Sequence, residues 1–329
     1  MGLAEQSTIQ RVENRPRLPD RLVVGPDAIR AAVLIVLLAA GALLTPGYLS
    51  LENFRILLMS VAAVGIVAYG MTLVVISGEI DLAVAGTAVL SAIVGATLLD
   101  TGSPVLVIGA TLVTGLAIGL VNGVLTAFVG IPSLIVTLAM LGISRAVANI
   151  ISRGQASYPD SVAAYLWFGN GKLLGLPTPI ALLLSIGALM VVLTRFTTFG
   201  PALYATGGNT KAAVLSGIRA RSVKLSVFMI CGVLAATGGM IESARLSYIN
   251  PAAFAGLELE ALAITVLGGA ALAGGSGSIL GTLLAALIIG VVNNLLNQLG
   301  VSLYTQRVVT ALVILAVVLP GYKRRQIAK

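Results

Sequence analysis

The chain of 329 residues contains no histidine. Imidazole acid–base catalysis, histidine metal ligation and a histidine pH switch are thereby excluded. It has one cysteine, Cys231, so neither an internal disulfide nor a cysteine metal cluster can form. Charged residues make up 10% of the chain, against roughly 25% in soluble domains. So few charges cannot coat a globule of this size, and lipid must solvate most of the surface. Aromatic residues are also scarce, at 5%. No stretch matches G-x-x-x-x-G-K-[ST], so the chain does not bind ATP through a phosphate-binding loop.

What is present is apolar and small: 58% of residues are hydrophobic and 38 are glycine. Small residues let apolar helices approach closely in a bilayer. A spanning helix needs about 20 mostly apolar residues. Ten stretches qualify: 29–45, 55–77, 82–99, 104–129, 131–152, 177–194, 225–244, 257–272, 277–298 and 302–320. Barrel strands would alternate polar and apolar residues, and these runs do not. The expected fold class is all-α, a polytopic membrane protein of about ten transmembrane helices. Residues 78–81 and 272–276 read as breaks that can lie within the membrane.

Basic residues set the orientation. They concentrate in the N-terminal tail (Arg11, Arg15, Arg17, Arg21, Arg30), in 195–224 (Arg195, Lys211, Arg219, Arg221, Lys224) and at the C-terminus (Lys323, Arg324, Arg325, Lys329). The positive-inside rule places these segments and both termini in the cytoplasm, which agrees with an even helix count. The expected organisation is a cytoplasmic tail over 1–28, a transmembrane domain over 29–320 containing the 195–224 loop, and a basic tail over 321–329. Residues 1–28 are too long and polar for the first part of a cleaved signal. The net charge of +8 reads as topology, and no nucleic-acid partner is expected. The 153–176 loop then lies outside, with Trp167 anchoring at the interface. GLVNGVLTAFVGI (119–131) echoes GVVNNLLNQLGV (290–301) five helices later, the mark of an inverted five-helix repeat.

Polar clusters within the apolar runs are the candidate sites. ISGEIDLAVAG (76–86) puts Glu79 and Asp81 at a glycine-marked break. Asp81 suits a helix start, while Glu79 stays open between structural and functional roles. Glu258 and Glu260 in GLELEALA (256–263) suit the N-terminal dipole of the eighth helix. NNLLNQ (293–298) groups four amides that either meet a polar solute or join helices. AGGSGSILG (273–281) reads as a tight cytoplasmic turn, since Ser276 and Ser278 have no nearby base to activate a serine nucleophile. GGNTKAAVLSGIRARSVK (207–224) is basic and glycine-led, with a short helix that Gly217 stops. A surface helix of a basic loop and a helix docking in a groove of another protein both fit it.

Residues 204–218, YATGGNTKAAVLSGI, resemble the cytoplasmic loop of the ribose-type permease family of bacterial ABC importers. SGEIDLAVAG resembles that family's Gly-Ile-Asp-Leu-Ser-Val-Gly motif, and 256–301 is similar to its C-terminal signature. The resemblance runs from about residue 50 to 320. It implies a permease subunit with about ten helices, paired with a second permease subunit, itself or a similar chain. It also implies a separate cytoplasmic ATPase and a periplasmic sugar-binding protein. ATP and Mg would be bound by partner subunits, with no cofactor in this chain, in a bacterial inner membrane. The coupling role falls on Gly207, Gly208, Asn209, Ala213, Leu215, Ser216 and Gly217. Ala83 and Ala85 stand where the family often has Ser and Gly, and Glu79 replaces a frequent Gly. The 274–281 stretch is closer to rhamnose- and autoinducer-type members, so the cargo stays open, nucleosides included.

The expected function is transfer of a sugar or sugar-like polyol by alternating access, with Asn122, Asn293, Asn294 and Asn297 near the pathway. An ion-coupled secondary transporter would instead use Glu79, Asp81, Glu258 or Glu260. An intramembrane enzyme is disfavoured by the absence of histidine and of a nucleophile–base pair.

Overall fold

The computed structural model describes residues 25–159, 162–302 and, beyond them, 305, 306, 308, 309, 311 and 312. Residues 1–24, the C-terminal tail and most of the tenth expected span lie outside the described residues, and the first helix begins at Pro26, inside the stretch expected as tail. Twelve helices are named in chain order: α1 (Pro26–Leu44), α2 (Leu51–Ile76), α3 (Val84–Ala96), α4 (Pro104–Val124), α5 (Ser133–Ser152), α6 (Ala163–Asn170), α7 (Thr178–Arg195), α8 (Phe199–Gly208), α9 (Thr210–Leu215), α10 (Ala220–Leu246), α11 (Leu257–Leu267) and α12 (Ile279–Gln298). A π-helical turn, Leu125–Val129, prolongs α4, and a 3-10 turn, Leu99–Thr101, follows α3. Eight segments among the described residues are long and apolar enough to cross a membrane: α1, α2, Val84–Thr101, Pro104–Val129, α5, α7, α10 and α12.

The protein is built around α2. Ser50 starts it, its hydroxyl accepting from the Asn53 N–H at 3.3 Å. From Val61 onward nearly every residue of α2 is buried, because α10, α12, α11 and α7 pack around it. A helix buried on all sides needs no polar face, and α2 has hardly any. The outer helices show the opposite. In α1, α4 and α5 many large apolar side chains are exposed, among them Ile35, Val36, Val105, Val113, Ile135 and Leu138. In water such surface would be a liability; in a bilayer it is the solvated face.

The tightest helix pair is α4 with α10. A Cβ added to Gly115 would stand 2.4 Å from the Gly232 carbonyl oxygen, and one added to Gly232 would stand 2.2 Å from that of Gly115. The two backbones therefore touch, which only small residues allow. Outside the spans, α6 packs on the end of α10. Tyr165 and Ser243 share a 2.6 Å hydroxyl hydrogen bond, and the Asn170 amide donates to the Ala244 carbonyl at 2.8 Å.

Two of the expected helices are shorter than their apolar runs. The third stops at Ala96 as an α-helix, and the eighth covers only Leu257–Leu267 where 257–272 was expected. At a rise of about 1.5 Å per residue, eleven residues reach roughly 16 Å, half a bilayer core. Residues 268–278 then run without helix, so the tight turn expected over 273–281 is in fact the end of a longer break. Gly268 and Gly269 follow directly on Leu267, and Gly269 has φ +94°. The hydropathy continues, but the helix cannot.

Candidate functional site

The basic 207–224 stretch takes in the last two residues of α8, all of α9 and the first residues of α10, and a single residue joins α8 to α9. Asn209 ends α8 and begins α9, with extended backbone, and its Oδ1 accepts from the Ala212 N–H at 3.0 Å. The far end of α9 closes as expected at Gly217. The Gly217 N–H bonds to the Val214 carbonyl and the Ile218 N–H to that of Ala213, with Gly217 at φ +85°. This reciprocal pair with a left-handed glycine is the Schellman stop. Ala213 is turned inward at 4% exposure, whereas Leu215 is 89% exposed, and Ser216 is exposed beside it. The short helix thus holds to the protein through a small residue and presents a large apolar one.

The upstream end of the segment touches both breaks. A Cβ on Gly207 would lie 1.7 Å from the carbonyl oxygen of Ile76, the last residue of α2. That same carbonyl accepts the Gly275 N–H at 2.8 Å. A Cβ on Gly274 would be 2.7 Å from the Gly207 carbonyl oxygen and 2.8 Å from the Gly78 Cα. Ile76 and Gly78, Gly207 and Gly208, and Gly274 and Gly275 therefore meet backbone to backbone. Tyr204 adds a hydroxyl bond to the Gly277 carbonyl at 3.0 Å. Burial raises the Tyr204 phenol above its ordinary pKa, partly offset by Arg195, so it remains a donor.

Side chains hold the two breaks where backbone ladders are missing. In the first, the Ile80 N–H donates to Ser133 Oγ at 3.2 Å, and the Thr137 hydroxyl reaches the Ile80 carbonyl at 3.4 Å. Asp81 is buried, and its carboxylate accepts from the Ala83 N–H at 2.9 Å. It closes a local turn two residues long before α3; the helix starts at Val84 with Ala83 as its cap residue and no side-chain cap, so Asp81 stands ahead of the N-cap position expected of it. Glu79 forms an ion pair with Lys224 of α10 at 2.5 Å. In the second break, Arg30 of α1 donates to the Leu267 carbonyl at 2.8 Å while pairing with Asp27 at 2.6 Å. A guanidinium at the end of α11 also suits that helix's dipole.

The amides expected near the pathway divide between two places. Asn294 and Gln298 meet Asn53 of α2. The Asn294 amide donates to Asn53 Oδ1 at 2.9 Å, Gln298 donates to the same oxygen at 2.7 Å, and Asn53 donates to the Tyr48 carbonyl at 2.8 Å. These bonds join the start of α2 to the end of α12. Asn293 is half-buried on the same helix and Asn297 is exposed. Asn122 belongs to α4 and is buried; neither of its side-chain amide atoms has a partner among the described residues. Glu258 and Glu260 occupy the first turn of α11, as expected. Glu260 also lines an outer cavity of about 180 Å³ with Ser60, Phe254 and Glu242, the last paired with Arg245 at 2.6 Å.

Neither the Lys224–Glu79 pair nor the bond from Arg30 to the Leu267 carbonyl could be assigned from sequence, since both cross more than 140 residues. The one local signal was Glu79 itself, a charge where the resemblance leads one to expect glycine.

Among known proteins, the ribose import permease protein of Escherichia coli (strain K12) is 40% identical over 296 residues, covering 89% of this chain and 92% of that protein. The L-arabinose ABC transporter permease protein of Azospirillum brasilense is 38% identical, covering 89% of this chain and 87% of its own length. A solved inward-facing conformation, described as of a metal-chelate type ABC transporter, has the same fold with a TM-score of 0.53 at 15% identity, over 90% of this chain and 98% of that one. The model of the branched-chain amino acid transport system / permease component family matches residues 53–318. With the apolar spans, the two breaks and the basic helix pair that joins them, that match leaves one assignment: this chain belongs to the branched-chain amino acid transport system / permease component family.

Proposed function

We propose that this chain is the permease subunit of an ATP-driven importer for a sugar or sugar-like polyol, switched between inward and outward states by separate ATPase subunits. The observation that carries the mechanism is the backbone junction of Ile76 and Gly78 with Gly207–Gly208 and Gly274–Gly275. A push on α9 from the cytoplasm has no slack to absorb it before it meets the ends of α2 and the second break. The sugar class is supported by the relatives, which are named for ribose and L-arabinose.

The same reading includes ten spans with both termini in the cytoplasm of a bacterial inner membrane. It includes the inverted five-helix repeat, supported by the echo between the end of α4 and the outer half of α12. A second permease subunit, a cytoplasmic ATPase carrying ATP and Mg, and a periplasmic sugar-binding protein complete the transporter. Gly207, Gly208, Asn209, Ala213, Leu215, Ser216 and Gly217 form the coupling element. Asn122, Asn293, Asn294 and Asn297 are its pathway residues, Asn122 favoured by its unpartnered buried amide.

The test is uptake of a labelled sugar panel by proteoliposomes holding this permease, its ATPase and its binding protein, native against Gly217→Pro. Proline fixes φ near −65°, whereas Gly217 sits at +85°. ATP-dependent uptake lost in the folded variant is the expected outcome. Uptake that ignores ATP and follows an ion gradient would replace this function with a secondary transporter.

A further inference from the structure

We propose that the Glu79–Lys224 ion pair is a positioning strut that carries movement of the 196–219 segment into the first break, and so sets how tightly ATP hydrolysis is tied to solute transfer. The inference rests on the reading of α8 and α9 as the coupling element.

Lys224 lies in the second turn of α10, the helix that follows directly on that element. Helix stability does not call for it there, because a helix N-terminus favours acidic residues and the first turn of α10 has none. Its partner is on another element. Glu79 follows Gly78, whose backbone abuts Gly207 and Gly274, so the carboxylate issues from the junction itself. The nitrogen–oxygen separation is 2.5 Å, and the two side chains are only 19% and 14% exposed. Two other ion pairs, Asp27–Arg30 and Glu242–Arg245, join residues three apart on one helix. Glu79–Lys224 joins positions 145 apart in sequence, a break to a helix foot.

Partial burial gives the pair its mechanical value. A solvent-exposed pair is weak and exchanges readily with water. A pair largely withdrawn from water resists separation, because each charge left alone would be poorly solvated. The foot of α10 and the start of α3 are then constrained to move together. The contacts of Gly207 with Ile76 and Gly78 transmit compression without pulling, and the hydrogen bonds at the junction, Gly275 to Ile76 and Tyr204 to Gly277, tie α2 and α8 to the second break and not to the foot of α10. The ion pair supplies the tension member, and with it the return stroke.

The experiment uses the complete transporter in proteoliposomes and measures ATP hydrolysed per labelled ribose or L-arabinose imported. Glu79→Gln and Lys224→Met are each expected to raise that ratio by about fivefold or more, with the ATPase still bound and the melting temperature near native. The exchanged double variant, Glu79→Lys with Lys224→Glu, is expected to return it to within about twofold of native. A merely structural pair would lower expression or melting temperature and leave the ratio unmoved. Single variants with the native ratio, or an exchange that fails to restore it, would overturn the proposal. Should a single variant not fold, Glu79→Asp, which keeps the charge but withdraws it by one methylene, is read in its place. A rise of about twofold supports the strut and a native ratio overturns it. Uptake by the native transporter without ATP would remove the coupling reading and the strut with it; native ATP-driven uptake with unmoved variant ratios removes the strut alone.

Discussion

Gly207 is seated against the main chain of Ile76 so closely that a Cβ on it would lie 1.7 Å from the Ile76 carbonyl oxygen. That oxygen is already engaged by the Gly275 N–H, so it cannot retreat without breaking a hydrogen bond. Gly207→Ala must therefore displace either α8 or the second break. Overpacking of this kind costs about 1–3 kcal/mol. The neighbouring glycine is the control: a Cβ on Gly208 meets nothing nearer than the Gly275 Cα at 3.9 Å. Gly208→Ala should stay within about 0.5 kcal/mol of native. Thermal unfolding in detergent, paired with ATP-driven uptake, separates the two. Gly207→Ala should lose both stability and uptake, whereas Gly208→Ala should keep its stability.

Leu215 makes a different prediction, because it is 89% exposed on the short helix α9. A large apolar side chain presented this way contributes little to the fold, so Leu215→Asp should leave the melting temperature nearly unchanged. If α9 enters a groove on the ATPase, Leu215 is its apolar anchor, and truncating such an anchor costs about 2 kcal/mol or more. The dissociation constant of the ATPase, measured by titration on the detergent-solubilised permease, should then rise about thirtyfold or more. Ala213→Asp would be a poor test of the same contact, because Ala213 is buried and the substitution would unfold α9 itself.

Asn209 allows the helix to be weakened without touching either face. Its Oδ1 caps α9 by accepting from the Ala212 N–H. Asn209→Ala should cost about 1 kcal/mol locally, and Asn209→Asp should retain the cap. Amide hydrogen exchange over 210–215 should quicken in the alanine variant alone. ATP-driven uptake should fall in the same order, since a frayed α9 transmits less of any push it receives.

How far these features could be read from the chain depends on whether they are local. The Gly217 stop, the Asp81 turn and the carboxylates at the start of α11 follow from residue chemistry within a few positions, and each stands close to where local rules put it. Apolar content located the spans because lipid exposure is a property of composition. It overestimated the eighth helix, because Ala270 and Leu272 are as apolar as a helix needs, while Gly268 and Gly269 end the hydrogen-bond ladder before them. The junction itself was hidden. That Gly207 meets Ile76 and Gly275 is decided by how three distant segments cross, and a glycine kept for close approach looks the same in sequence as one kept for a turn. Of the four asparagines expected near the pathway, Asn294 was equally consistent with a helix-joining role, and its bonds to Asn53 show that role filled.

That amide cluster at the start of α2 and the end of α12 yields the last prediction. Asn53 is buried, and its side chain accepts from Asn294 and Gln298 while donating to the Tyr48 carbonyl. Tyr48 in turn donates its hydroxyl to the Val291 carbonyl at 3.2 Å, so one small network ties the α1–α2 connection to α12. Asn53→Leu fills a similar volume but leaves the Tyr48 carbonyl and two amide groups without a partner. Each buried polar group so orphaned costs about 1–3 kcal/mol, with relief where water reaches the half-exposed side chains. A loss of about 2–4 kcal/mol is therefore expected in denaturant unfolding. The ATP consumed per sugar should not change, because the network lies at the opposite end of α2 from Ile76 and the coupling junction. A folded Asn53→Leu variant with native stability would mean that the network adds nothing to the fold, whereas one with a raised ATP cost per sugar would extend the coupling path across the full length of α2.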